Sequence, residues 1–152
     1  MFYIIALLVF IADQTIKILI HKFIPANQSI PLIKNIFHLT YVQNSGAAFG
    51  FFKGQRIALL LIGLLVAGLI IYYANKVKSD KYYQIAFAFI MGGSSGNIVD
   101  RFFRFYVVDY LDFRFFPVFN LADIMINLGV FLLILKLLFF QKGEKGTKKN
   151  AS

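Results

Sequence analysis

Asp109 and Asp123 are the residues whose type and setting could do chemistry. They stand within the stretch VVDYLDFRFFPVFNLADIMIN, which leads into an apolar run from Ile124 to Phe140. A carboxylate at the mouth of a membrane-spanning helix is unfavourable unless it faces a cavity or a partner. Two carboxylates folded together do not both ionise easily, so one keeps its proton. The ionised one can then activate water while the other protonates a carbonyl oxygen or a leaving group. That is hydrolytic chemistry, with a peptide bond at the membrane surface as the expected target. Asp112, three residues after Asp109, is the internal rival. In a strand the two face opposite sides, so only one enters a site, and Asp112 reads more simply as a solvated loop carboxylate.

Other polar residues accompany the pair. Asp13 and Lys17 share a helix face at i and i+4, and are most simply a buried ion pair. Asn97, Asp100 and Arg101 close a third apolar stretch, where Asp100 and Arg101 equally read as an interfacial pair. Asn44 opens a run of small residues, Asn44 to Gly50, in which Gly46 would let backbone approach a ligand closely. Asn120 and Asp123 have the spacing of a capping box, after Pro117. A cap would hold Asp123 rigidly, so the structural and catalytic readings are compatible. Each asparagine could orient a peptide backbone through its amide, although singly each is an ordinary structural hydrogen-bonding residue.

The surroundings these residues need are set by composition. Of 152 residues, 59% are hydrophobic and only 15% charged, with mean hydropathy +0.72. A soluble domain is nearer half apolar and a quarter charged, so the chain reads as one integral membrane domain, 1–152. The absence of cysteine excludes disulfides, thiolate metal sites, a cysteine nucleophile and lipidation of the chain itself on cysteine. His21 and His38 lack a second ligand at helical spacing, so neither a metal nor a Ser-His-Asp triad is expected. The net charge of +9 falls between and after apolar spans, which fits anionic lipid head groups rather than nucleic acid.

Four spans follow from the apolar stretches: about 1–20, 57–73, 82–98 and 118–140, with a polar tail at 141–152. The fold class is therefore mainly α, with four transmembrane helices and a small β-rich connector between the first two. Short β-branched runs in Ser29–Phe37 and His38–Val42 supply its strands. Gly92 and Gly96 form a G-x-x-x-G pair for close helix contact. Loop 75–81 has three lysines in seven residues and the tail four in twelve, which places both termini in the cytoplasm. Asp13, Lys17, Asn97, Asp100, Arg101, Asn120 and Asp123 then all fall toward the outer leaflet, and Asn44 and Asp109 lie in the two outer connectors. One polar site near the outer face accounts for them together. A transporter or proton relay would place its acids near the midplane and reachable from both sides. A pure scaffold would leave Asp109 and Asp123 with no reason to be paired.

At these residues the chain resembles bacterial lipoprotein signal peptidase (signal peptidase II), an intramembrane aspartyl peptidase family. Asp13-Gln14 with Lys17 is similar to the family's D-Q-x-x-K, and Asn44-Ser45-Gly46-Ala47-Ala48-Phe49 to its N-x-G-A-A-F/W. Gly96 to Arg101 resembles G-N-x-x-D-R, Val107 to Tyr110 resembles V-V-D-F, and Pro117 to Asp123 resembles P-x-F-N-x-A-D. Five matches in order, over nearly the whole chain, are far more specific than any one. The resemblance implies that Asp109 and Asp123 are the catalytic dyad. It implies supporting or inhibitor- and substrate-contacting roles for Asp13, Lys17, Asn44, Gly46, Asn97, Asp100, Arg101 and Asn120. It also implies diacylglyceryl-modified prolipoproteins as substrates, cut before the lipidated cysteine, with no metal or cofactor, no nucleic acid, inhibition by globomycin, and a monomer among membrane lipids of the bacterial cell membrane. The chain departs from the pattern at Ile16, where a hydroxyl residue usually precedes the lysine, at Phe105, where glycine is common, and at Ile124, where a small residue is usual.

Overall fold

The computed structural model describes residues 1–46, 52 and 54–140. Residues 47–50 of the small-residue run and the tail 141–152 lie outside the described residues. Four long helices carry the chain: α1 (Phe2–Phe23), α2 (Arg56–Lys76), α3 (Lys81–Val99) and α4 (Leu121–Leu135). Among the described residues, three segments are long and apolar enough to cross a membrane: Phe2–Phe23, Arg56–Lys76 and Leu121–Phe139. α3 is the more polar helix at the centre, packed against α1, α2 and α4.

Small residues on α3 permit this. A methyl group at Gly92 would come within 2.6 Å of the Ala6 carbonyl oxygen on α1, so the two backbones meet there. Ala86, Ala88, Gly93 and Ser94 are buried around it. Helix ends follow local chemistry. α1 stops at Phe23 because Ile24 precedes Pro25 and is extended (φ −118°, ψ 118°). The Asp80 side chain caps α3 by accepting from the Tyr82 amide at 2.9 Å, and its carboxylate pairs with Lys136 near the end of α4 at 3.1 Å. The expected start of the last span at 118 is corrected to Leu121: Phe119 instead bridges to Leu111 in extended conformation, and Asn120 is the cap.

The sheet is larger than expected. β1 (Ser29–Ile33) and β2 (Phe37–Asn44) form the hairpin after α1, and β3 (Val107–Asp112), from the connector before α4, joins as a third antiparallel strand in the order β1-β2-β3. Val42 is registered opposite Asp109, and a bulge lies between Leu39 and Val42. Ile20 of α1 and Ile24 just after it form one buried cluster with Tyr41, Val108 and Tyr110, which seats β3 on the end of α1. The Tyr41 hydroxyl bonds His21 Nδ1 at 2.8 Å and the Tyr106 hydroxyl at 3.0 Å. A π-helical turn, Asp100–Arg104, continues α3, and Phe105 then reverses the chain with φ 70°. That left-handed geometry favours glycine over a residue with a Cβ, which is the departure noted at Phe105. Here the Phe105 ring lies 4.2 Å from the Arg56 guanidinium, a cation–π contact that offsets part of the strain.

Candidate active site

Asp109 on β3 and Asp123 in the first turn of α4 line one cavity of about 510 Å³, together with Asn44, Asn97 and Arg101. Its other walls are apolar except at Asn127, and include Phe116, Phe119 and Ile126. Alternation along β3 decides which acid enters: Val107 and Asp109 line the cavity, while Val108 and Tyr110 pack on α1.

Three asparagines hold the two carboxylates, and each amide has only one possible orientation. Asn120 Oδ1 accepts from the Asp123 amide at 3.0 Å, so its Nδ2 must face Asp109, to which it donates at 2.6 Å. Asn44 Oδ1 accepts from the Gly46 amide at 2.9 Å, so its Nδ2 donates to the other Asp109 oxygen at 2.8 Å. Asn97 Oδ1 accepts from Lys17 Nζ at 2.9 Å, so its Nδ2 donates to Asp123 Oδ1 at 2.9 Å. Asp123 Oδ2 accepts from the Asn120 amide at 3.2 Å, completing the capping box. Asn120 thus touches both acids and couples a strand to a helix. Asp109 is 2% exposed. Burial first, and then the charge of Asp123, push its carboxyl up to about 7.

Beneath the cavity lies a buried charged cluster. Lys17 Nζ is 2.9 Å from Asp13 Oδ2 and 2.9 Å from Asp100 Oδ2, with all three side chains fully buried. Asp13 also accepts from the Ala122 amide at 3.0 Å, and Asp100 from the Val108 amide at 3.2 Å. These bonds tie α1 and the π-helical turn to the two segments that carry the cavity's acids. The Asp13 carboxylate occupies the space a side chain at Gly96 would need, so glycine is obligatory there.

The chain is similar to known proteins in sequence and in fold. A family model described as signal peptidase (SPase) II matches residues 5–139. The chain belongs to the signal peptidase II family. It is 45% identical over 137 residues to the lipoprotein signal peptidase of Halothermothrix orenii, covering 90% of this chain and 94% of that protein. It is 37% identical over 155 residues to that of Halalkalibacterium halodurans, covering 99% of each. A solved structure described as a bacterial membrane enzyme, determined by the in meso method at 2.3 Å, superposes with TM-score 0.85 at 30% identity, over 90% of this chain and 87% of that one. Membership makes the chain a membrane peptidase, and the transporter and relay readings gain no support.

The structure gathers the residues expected of a signal peptidase II site. Asn44, Asn97, Asp109, Asn120 and Asp123 share the hydrogen-bond network described above, and Asp13, Lys17 and Asp100 form the cluster beneath it. Gly46 contributes its amide to Asn44, and its carbonyl oxygen to Arg101 Nη2 at 3.1 Å. Two expectations are corrected. Asp100 pairs with Lys17 and Arg104, not with its neighbour Arg101, whose guanidinium turns instead to the Asn97 and Gly46 carbonyls. Asp112 is not a solvated loop carboxylate. It is 5% exposed and accepts from Thr40 at 2.7 Å and from Arg114 at 3.0 Å, outside the cavity. Those hydrogen bonds outweigh its burial and hold its carboxyl below the usual range. Sequence reasoning missed Arg104, which binds Asp100 and donates to Gln14 at 3.1 Å. Its spacing of four from Asp100 was the available signal. It also missed Asn127, which lines the cavity and donates to the Asp123 carbonyl at 2.9 Å.

Proposed function

We propose that Asp109 and Asp123 are the catalytic dyad of a peptidase that removes signal peptides from diacylglyceryl-modified prolipoproteins, cutting before the lipidated cysteine. The observation that carries this reading is that acids from two separate elements enter one cavity and are joined through Asn120. Asp109, with its carboxyl raised to about 7, holds the proton and donates it to the scissile carbonyl oxygen. Asp123 accepts a proton from water, whose oxygen attacks the carbonyl carbon. In the tetrahedral intermediate the proton moves from Asp123 to the departing amine as the C–N bond breaks, and Asp109 recovers its proton from the collapsing hydroxyl. No metal or cofactor enters these steps.

The apolar walls of the cavity suit an acyl-bearing substrate that stays partly in lipid. α3 serves as a fourth span, shielded by the other three, so its polar residues face protein rather than acyl chains. Lysine density in loop 75–81 and in the tail supports cytoplasmic termini, with the dyad toward the outer face of the bacterial cell membrane. The chain acts as a monomer, since one copy supplies every member of the dyad network.

The test is cleavage of a lipidated preprolipoprotein with and without globomycin, using wild type, Asp109→Asn and Asp123→Asn. Loss in both variants and inhibition of the wild type are expected. Normal cleavage by either variant would remove that residue from the dyad.

A further inference from the structure

Lys17 is fully buried on α1, and it does not itself line the cavity. Its three acceptors are Asp13, Asp100 and Asn97, each at 2.9 Å. An ammonium has donors only, so the Asn97 atom facing it must be Oδ1. The opposite end of the same amide is then Nδ2, and it is this end that meets Asp123. Without the lysine, only the longer contact from Asn120 Nδ2, at 3.4 Å, still holds that oxygen in place. A flipped Asn97 would turn a carbonyl oxygen toward the Asp123 carboxylate and toward the place where water is activated.

We infer that Lys17 is a positioning residue for catalysis: it locks the Asn97 amide so that Nδ2 always donates to Asp123, keeping Asp123 the proton acceptor of the pair. This goes beyond an ion pair that holds α1 in the bundle, and it rests on the dyad reading above. The charged and titratable groups around Lys17 are consistent with it. Asp13 on its own helix and Asp100 on the π-helical turn fix the ammonium. Arg104 shares Asp100, Arg101 bonds the Asn97 carbonyl and lines the cavity, and Asp109 comes from β3. His21, four residues further along α1, is engaged with Tyr41.

The test measures kcat and KM against pH for cleavage of a diacylglyceryl-modified prolipoprotein by the full chain in detergent. Lys17→Met is combined with Asp13→Asn, so that no carboxylate is stranded, because Asp100 retains Arg104. This pair is expected to lower kcat about tenfold to a hundredfold through misplacement of the acceptor, with KM within about twofold. It is also expected to displace the pH profile of kcat. Asn97→Ala is expected to give a similar loss, and adding it to the pair to give no further loss, because both act through one amide. Losses that multiply, or an unmoved pH profile, overturn the proposal.

A readout on the wild type holds even if the pair fails to fold. With 15N-labelled lysine in micelles, one slowly exchanging ammonium with a nuclear Overhauser contact to the Asn97 side-chain amide is expected. An ammonium exchanging like the surface lysines overturns the proposal. Activity retained in Asp109→Asn or Asp123→Asn overturns the dyad and this inference together. Loss in both, with multiplying effects at Lys17 and Asn97, overturns this inference alone.

Discussion

Replacing Asp109 by Asn is expected to trade activity for stability, with a sign that depends on pH. The carboxyl sits near 7 in the fold against an ordinary 3.8, chiefly through burial. An acid whose folded pKa is raised leaves stability intact below the unfolded value and removes it progressively as pH rises to the folded one. At 1.36 kcal/mol per pH unit, that loss is about 4 kcal/mol at pH 8 and shrinks to about 1.6 kcal/mol at pH 5. Asn carries no charge, but it places an NH2 group against one of two donors, Asn44 Nδ2 or Asn120 Nδ2. The mismatched donor costs about 1–3 kcal/mol. The net expectation is a gain of about 1–3 kcal/mol at pH 8 and none, or a small loss, at pH 5. At roughly 2–4 °C per kcal/mol, the melting temperature at pH 8 rises by about 2–12 °C. Circular dichroism melts of both proteins in one detergent at both pH values measure it, beside a cleavage assay in which the variant loses on the order of a thousandfold. A difference that does not change between pH 5 and pH 8 would refute the account of Asp109 as a buried acid held near neutrality.

Four further outcomes follow from the same geometry. Because protonated Asp109 is the donor, kcat/KM is expected to fall as pH rises through an apparent value of about 7, and a rate still climbing at pH 8.5 on the order of that limb would contradict it. Asp112→Asn is expected to leave cleavage unchanged while weakening the sheet by about 1 kcal/mol through the Thr40 and Arg114 contacts, measured by melting. Gly92→Ala is expected to destabilise by about 1–3 kcal/mol, since its methyl would meet Ala6 and Val9. Gly68→Ala on α2, with open space around it, is expected to be neutral or to stabilise by up to about 1 kcal/mol in the same melts.

Much of the site was legible because its signals are local. Asp13 and Lys17 at i and i+4 must share a helix face, and Asn120 with Asp123 must read as a cap, since both follow from helix geometry alone. The Val107-Val108 run announced an extended segment, and strand alternation announced that only one of Asp109 and Asp112 would enter the site. The Gly92 and Gly96 spacing announced close helix contact, although not that Gly96 makes room for the Asp13 carboxylate.

What remained hidden is non-local. Nothing near Asp100 in the chain says that it pairs with Lys17, more than eighty positions earlier, rather than with the adjacent Arg101. That choice depends on which way the π-helical turn rotates the side chains after α3 packs on α1. Nor could the exposure of Asp112 be read before β2 brought Thr40 beside it. The sequence by itself determined the apolar spans, the caps and the chemical types available, because these depend on neighbours within a turn or two. Only the tertiary structure decided which end of each asparagine amide faces a donor, and hence that each aspartate receives an amide hydrogen, because those partners arrive from separate helices and strands that meet only in the folded bundle.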